Sequence, residues 1–189
     1  VFGPLAMHDT VLGMTPAWER PGPSGEPAKK SRIAIVRAAD AAAEYGGVWN
    51  SDYWRRLGAP WGGLLSTAAD LSKLGLHLLT IHRGAEGIVR GATLEAMTRN
   101  WLAMMPKVPR VDRRCHPWGL GWQLNWPTHR TTFSDLLSPL AYGHWGATGT
   151  VVWIDPARDA CGVALTTQPL ETGRRRLSNL NNALLGAIH

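Results

Sequence analysis

Residues 142–150 carry the clearest chemical signal in this 189-residue chain. Gly143, Gly146 and Gly149 surround one histidine, His144, and the segment then runs into an apolar stretch that alternates as a strand does. Glycine weakens a strand, because it has no side chain to pack and loses much backbone entropy on folding. Two interpretations remain open: a histidine on a strand that a ligand approaches closely, or a glycine-rich bulge with an incidental histidine.

The motifs of several other catalytic and nucleotide-binding sites are missing from the sequence. It contains no Ser-x-x-Lys, Tyr-x-Asn, Gly-x-Ser-x-Gly, His-Glu-x-x-His, Walker loop or Gly-x-Gly-x-x-Gly. Cys115 stands beside His116, but one such pair supplies too few ligands for a structural zinc site. Cys161 lies in an apolar stretch, where a small buried thiol is expected. We therefore predict neither a metal nor an organic cofactor.

Charge and hydropathy restrict the classes of partner. The formal net charge is +6, but the 20 basic residues are scattered, and the one tight cluster, residues 174–176, has no aromatic residues interleaved. This pattern favours a solvated basic surface over nucleic-acid binding. No apolar run approaches the roughly 18 residues of a membrane span. No signal peptide is visible at Val1, and the cellular compartment stays open because the natural N-terminus is not assured.

The elements that must position the glycine-rich segment follow from periodicity. Residues 1–60 are expected to be irregular, because residues 15–30 are rich in proline and glycine. A helical region is predicted over residues 61–105. Its first helix has Thr67 as N-cap with Asp70 in a capping-box pattern, and Gly84 as its end. A second helix is predicted over residues 93–104. Its expected buried residues are Leu94, Met97, Trp101 and Leu102.

The last third, residues 118–189, reads as strands followed by a helix. Strands are predicted over residues 118–126, 150–154 and 161–167, with a turn over residues 155–159. A helix is predicted over residues 175–188. Its expected inward residues are Leu177, Leu180, Leu184, Leu185 and Ile188. Helices, antiparallel strands and a final packed helix together predict an α+β fold.

Tryptophan is frequent in this chain. Six tryptophans could form an aromatic wall for an acyl chain, although core packing and loop anchoring are favoured for most of them. They are Trp49, Trp54, Trp61, Trp118, Trp122 and Trp126.

Three segments, in this order, resemble the β-lactamase-related serine hydrolases. Residues 4–10 read Pro-Leu-Ala-Met-His-Asp-Thr, residues 58–71 read Gly-Ala-Pro-Trp-Gly-Gly-Leu-Leu-Ser-Thr-Ala-Ala-Asp-Leu, and residues 143–149 read Gly-His-Trp-Gly-Ala-Thr-Gly. This family includes class C β-lactamases, penicillin-binding-protein-like peptidases and esterases. The resemblance implies a β-lactamase/transpeptidase-like fold and a small-molecule or peptide substrate.

The resemblance also implies roles for residues of the third segment. His144, Trp145 and Gly146 stand where the β-lactamases have Lys-Thr-Gly, and esterases of the family often have histidine there, which favours ester or peptide substrates. His144 would hydrogen-bond to the substrate or to a Tyr-containing element. The backbone N–H of Ala147 would donate to an oxyanion, and Gly146 and Gly149 would leave room for the acyl group. Trp145 is a candidate substrate contact, but alternation places it opposite His144, which favours core packing.

In such enzymes the nucleophilic Ser-x-x-Lys and the Tyr-x-Asn element come before the Pro-Leu-x-Met-x-x-Thr segment, and this chain contains neither. We therefore expect a single partial domain, the C-terminal portion of the fold, that is inactive alone and belongs with a missing N-terminal half. The whole would act on ester, amide or β-lactam bonds through an acyl-serine intermediate. The alternative is a non-catalytic ligand-binding or interaction module derived from the same fold.

Overall fold

A four-stranded antiparallel sheet lies at the centre of the structure. The computed structural model describes residues 1–37, 48–125, 133–170 and 174–187. The sheet has the order β3-β4-β5-β6 and consists of β3 (Gln123–Leu124), β4 (Tyr142–Gly146), β5 (Thr150–Asp155) and β6 (Ala160–Leu165). Two short strands, β1 (Val11–Leu12) and β2 (Leu64–Leu65), pair separately and also antiparallel.

Helices precede and follow this sheet. Five α-helices lie wholly within the described part: α1 (Asp52–Leu57), α2 (Ala68–His82), α3 (Gly91–Met97), α4 (Arg110–Cys115) and α5 (Arg174–Gly186). Three 3-10 turns cover Pro16–Glu19, Lys29–Arg32 and Leu102–Met104. The predicted α+β class is confirmed.

The sheet is covered on both faces, and β5 shows how. Val151 and Trp153 pack with Leu177 of α5 on one face. Ile154 packs with Leu78 of α2 on the other face. Since successive side chains of a strand point to opposite faces, β5 supplies side chains to two cores. A fully buried aliphatic side chain of this kind contributes about 1.5–3 kcal/mol, so burial on both faces holds the sheet between α2 and α5.

Helix α2 begins and ends where the sequence predicts. The Thr67 hydroxyl accepts from the Asp70 N–H at 3.2 Å, which caps the helix. Gly84 follows the helix with φ +90°. The capping box, however, is only half formed, because the Asp70 carboxylate accepts from Asp9 and Thr10 of the N-terminal segment instead.

The predicted helix over residues 93–104 is wrong in its second half. Helix α3 ends at Met97, and Leu102–Met104 is a separate 3-10 turn. The Met97 carbonyl accepts from the Leu120 N–H, and the Trp101 N–H donates to the Trp118 carbonyl, each at 2.9 Å. The loop over residues 117–122 thus takes the backbone groups that would have continued the helix. Of the side chains expected to be buried, Leu94 is buried, whereas Met97, Trp101 and Leu102 are half-buried.

The predicted strand over residues 118–126 is also shorter than expected. Only Gln123–Leu124 is a strand, and Trp118 makes an isolated bridge to Gln123. Between them the Gly119 N–H donates to the Trp122 carbonyl at 2.8 Å, and Gly121 has φ +79°. Glycine adopts this left-handed conformation readily, so the segment turns back on itself instead of extending. Residue 126 lies outside the described residues.

The predicted strands after residue 150 are confirmed with small shifts at their ends, but the inward face of the last helix is partly wrong. Leu177 and Leu185 are buried, whereas Leu180 and Leu184 are each 40% exposed. Residues 177, 181 and 185 lie four apart on one helical stripe, and the middle one, Asn181, is fully buried. Its side-chain oxygen accepts from the Trp153 indole N–H at 2.9 Å, which explains a polar residue in the core. Ile188 lies outside the described residues.

Candidate active site

The glycine-rich segment forms a hairpin between two central strands. β4 ends at Gly146 and β5 begins at Thr150, with residues 147–149 as the turn. The Gly149 N–H donates to the Gly146 carbonyl at 2.9 Å, and Gly149 has φ +88°. A three-residue hairpin loop whose last residue is left-handed is a common arrangement, and glycine there avoids backbone strain. The hairpin therefore needs glycine at position 149 for its geometry.

His144 lies in the middle of β4 with an exposed side chain. It stands opposite Val152 of β5. The ring Nδ1 lies 2.7 Å from the Trp145 carbonyl oxygen. The Trp118 indole meets the imidazole edge-on, with ring centroids 5.5 Å apart and an interplanar angle of 66°. The histidine is thus held by two neighbours and still reaches solvent.

Ala147, the expected oxyanion donor, lies at the start of the turn and is exposed. Its carbonyl accepts from the Leu170 N–H at 3.1 Å. Within the described ranges, no backbone carbonyl accepts a hydrogen bond from the Ala147 N–H. The turn therefore presents an N–H donor three residues after the exposed histidine.

Trp145 follows His144 on β4, and the centroids of the two rings lie 6.2 Å apart at an interplanar angle of 36°. It is half-buried and packs against the core that contains Trp153 and Leu177. The Trp145 ring thus packs against the core, as the alternation of side chains along the strand favoured.

Each glycine of the segment has a close neighbour that leaves no room for a Cβ. A Cβ on Gly149 would lie 1.9 Å from the Gln168 carbonyl oxygen, and one on Gly146 would lie 2.4 Å from the Thr150 hydroxyl. A Cβ on Gly143 would lie 2.2 Å from the Val152 carbonyl oxygen. Atoms of the chain thus occupy the direction of the missing Cβ at each of these positions. The expected room for an acyl group beside Gly146 and Gly149 stays a prediction.

One polar contact beside this strand has no signal in the sequence. The His82 Nε2 atom, at the end of α2, lies 3.0 Å from the Tyr142 hydroxyl at the start of β4. Burial, assisted by Cys161, raises the pKa of Tyr142 well above its ordinary range, and burial lowers the pKa of His82. Both groups are therefore neutral near pH 7 and the contact is an ordinary hydrogen bond. The two residues are 60 positions apart, so only the fold reveals the pair.

The first two segments of the resemblance meet in space at the N-terminus of α2. The buried Asp70 carboxylate accepts from the Asp9 N–H at 2.8 Å, the Thr10 hydroxyl at 2.9 Å and Lys73 Nζ at 2.7 Å. Thr10 also lies 2.7 Å from the Ser66 hydroxyl. Burial by itself would raise the pKa of Asp70, but the hydrogen bonds from Lys73, Thr10 and Asp9 outweigh it and lower the pKa.

Neither a metal-binding cluster nor a membrane-spanning helix is found among the described residues. No group of three His, Cys, Asp or Glu side chains within residues 1–37, 48–125, 133–170 and 174–187 is arranged to hold a metal ion. No helix in this part of the chain is both long and apolar enough to cross a membrane.

Known proteins resemble this chain in sequence and in fold. A "Putative D-alanyl-D-alanine carboxypeptidase" of Escherichia coli (strain K12) is 48% identical over 52 residues, which are 27% of this chain and 12% of that protein. A penicillin-binding protein homologue from Caulobacter crescentus has a TM-score of 0.61 at 19% identity, over 89% of this chain and 45% of that one. A β-lactamase from Mycobacterium bovis has a TM-score of 0.54 at 23% identity, over 66% of this chain and 45% of that one.

These likenesses show a β-lactamase and penicillin-binding-protein type of fold, and the chain spans less than half the length of either solved relative. The family model for beta-lactamase matches residues 1–187, almost the whole sequence. The chain therefore belongs to the beta-lactamase family.

Proposed function

We propose that this chain forms one wall of the active site of a serine hydrolase that cleaves ester or amide bonds through an acyl-serine intermediate. Family membership supports a hydrolase of the serine or penicillin-binding-protein type. The observation that carries the proposal is that one hairpin presents both an exposed His144 side chain and the Ala147 N–H. Both groups are open to a ligand at the place where the family resemblance puts the substrate-facing strand.

In this proposal the Ala147 N–H donates to the oxyanion that forms when the acyl carbon is attacked. A donor aimed at developing negative charge is worth about 3 kcal/mol in an enclosed site. His144 hydrogen-bonds to the substrate or to a tyrosine of the complementary part. Histidine at this position, in place of the lysine of β-lactamases, favours ester or peptide substrates over β-lactams. The name of the Escherichia coli relative fits a peptide substrate.

The nucleophile of the proposed reaction comes from outside residues 1–189. The sequence has no Ser-x-x-Lys, and a serine without a neighbouring base is a weak nucleophile at neutral pH. A segment carrying Ser-x-x-Lys and Tyr-x-Asn must complete the site. The same absence supports the second candidate, a non-catalytic module that keeps the ligand-facing wall and has lost the chemistry.

A fluorescent fluorophosphonate distinguishes these candidates. We expect no labelled serine in the purified chain alone. When the segment encoded directly upstream is supplied in the same polypeptide, we expect one labelled serine, within Ser-x-x-Lys. Stoichiometric labelling of the chain alone would place the nucleophile here and contradict the proposal. No labelling of the longer polypeptide would favour the non-catalytic module.

The role of His144 can be tested in the longer polypeptide. We expect His144→Ala to lower kcat more than it raises KM, because a group that acts mainly in the transition state affects the chemical step. His8→Ala is the matched control, since His8 is exposed on the N-terminal segment and is assigned no role. An unchanged kcat in His144→Ala would remove this residue from the mechanism.

A further inference from the structure

The hydrogen bond of His144 determines which ring nitrogen carries the proton. Nδ1 lies 2.7 Å from the carbonyl oxygen of Trp145. A carbonyl oxygen can only accept a hydrogen bond, so Nδ1 must be the donor. In the neutral imidazole only one nitrogen carries a proton, so Nε2 keeps a lone pair and accepts. The side chain is exposed, and no group in the described part of the chain bonds to Nε2.

The Trp118 ring keeps the imidazole in this orientation. The backbone of Trp118 has two partners: its carbonyl accepts from the Trp101 N–H at 2.9 Å, and the residue forms a β-bridge with Gln123 of β3. From this fixed position the indole meets the His144 ring edge-on at 5.5 Å. Edge-to-face contacts between aromatic rings have a preferred geometry, so the indole restricts rotation of the imidazole about its side-chain bonds.

We propose that the Trp145 carbonyl and the Trp118 indole hold His144 as the Nδ1–H tautomer, so that this wall presents a hydrogen-bond acceptor. Trp118 is then a positioning residue for His144. The substrate group that meets Nε2 is a donor, such as an amide N–H or a hydroxyl. A lysine at this position has three donors and no acceptor, and therefore suits a carboxylate instead. The tautomer follows from the geometry alone, whereas the substrate preference rests on the proposed function.

Nitrogen-15 NMR of this chain tests the tautomer directly. A long-range proton–nitrogen spectrum in the alkaline range, where histidine rings are generally neutral, separates protonated from unprotonated ring nitrogens. Loss of one pattern in His144→Gln assigns the signals. We expect His144 to show a protonated Nδ1 and an unprotonated Nε2. A dominant Nε2–H pattern would overturn the proposal, whatever the enzyme activity turns out to be.

Substitution of Trp118 tests the positioning role. We expect Trp118→Ala to give a mixture of the two tautomers, and Trp118→Phe to restore the Nδ1–H pattern because an aromatic edge remains. Trp61→Ala is the matched control, since Trp61 is 79% exposed. Circular dichroism verifies that each variant is folded. If Trp118→Ala fails to fold, Trp118→Phe against Trp118→Leu gives the same comparison. An unchanged His144 pattern in a folded variant without an aromatic ring would overturn the positioning role.

The substrate preference is tested in the longer polypeptide that carries Ser-x-x-Lys. The p-nitrophenyl esters of N-acetylglycine and N-acetyl-N-methylglycine differ in one amide N–H. We expect kcat/KM to be about fivefold higher for the ester with the N–H, since a net hydrogen bond of about 1 kcal/mol corresponds to that ratio. His144→Ala should abolish the difference. A preference that survives in His144→Ala would overturn this part. If neither ester is cleaved, the proposed function fails, and the NMR result still decides the tautomer.

Discussion

Replacing Asp70 by alanine tests whether one buried carboxylate fastens the N-terminal segment to the helical part. Asp70 is 3% exposed and accepts from the Asp9 N–H, the Thr10 hydroxyl and Lys73 Nζ. The first two donors are more than 55 positions away in the sequence. A single side chain therefore joins residues 9–10 to the start of α2.

The expected cost follows from what each donor loses. A hydrogen bond to a charged group is worth about 1.5–3 kcal/mol, and a buried donor left without a partner costs about 1–3 kcal/mol. The Thr10 hydroxyl retains Ser66, and Lys73 is exposed and retains the Ala6 carbonyl, so the Asp9 N–H loses most. Loss of a negative charge at a helix N-terminus adds about 0.3–1 kcal/mol. We expect Asp70→Ala to lower the free energy of unfolding by about 3 kcal/mol.

Urea denaturation followed by circular dichroism measures this difference. Lys73→Ala is the matched control, because it removes the exposed partner of the same pair and should cost less than about 1 kcal/mol. The Thr67 cap is present in both variants, so the comparison isolates the carboxylate. A loss below about 1 kcal/mol in Asp70→Ala, or an equal loss in both variants, would refute the argument.

Three further predictions concern stability. Because folding lowers the pKa of Asp70, its carboxylate stabilises the folded chain above the ordinary aspartate pKa of about 4, and this stabilisation is lost as the pH falls through the folded pKa. Acid titration of Asp70→Asn should therefore show a smaller loss of stability than that of the parent chain. Asn181→Ala should cost about 2 kcal/mol, since it leaves a buried indole N–H without its acceptor, whereas exposed Asn179→Ala should be neutral in a thermal melt. Gly149→Ala should destabilise the chain more than Gly84→Ala in urea denaturation, because both glycines have φ near +90° but only the first has a neighbour in the way. Equal losses in the two glycine variants would contradict the crowding argument.

The sequence alone determined the elements whose signals are local. Thr67 and Gly84 mark the ends of α2, because capping and a left-handed C-terminal residue depend on nearby backbone groups. The alternation in β5 and the proline turn after it likewise require only neighbours. The family was also recognisable, since three motifs appear in a fixed order.

The tertiary structure decided whatever depends on a partner distant in the sequence. The helix predicted to run to residue 104 ends at Met97, because the loop around Trp118 and Leu120 takes its backbone groups. The same loop turns at Gly121 instead of extending. The spacing of apolar side chains carries no information on a hydrogen bond to a backbone group far away in the sequence, so both predictions failed at the same place.

In the candidate site, too, some features were predictable from the sequence and others only from the fold. The glycines drew attention to His144, and the family resemblance gave Ala147 its expected role. The fold places on one hairpin an exposed imidazole and an Ala147 N–H that has no backbone acceptor among the described residues. Only the fold shows that Trp118 contacts the imidazole and that the absence of a Cβ at Gly149 makes room for the Gln168 carbonyl. A glycine in a sequence can indicate that the fold has no room for a Cβ at that position. Which atoms take that space is decided by segments that meet only when the chain has folded.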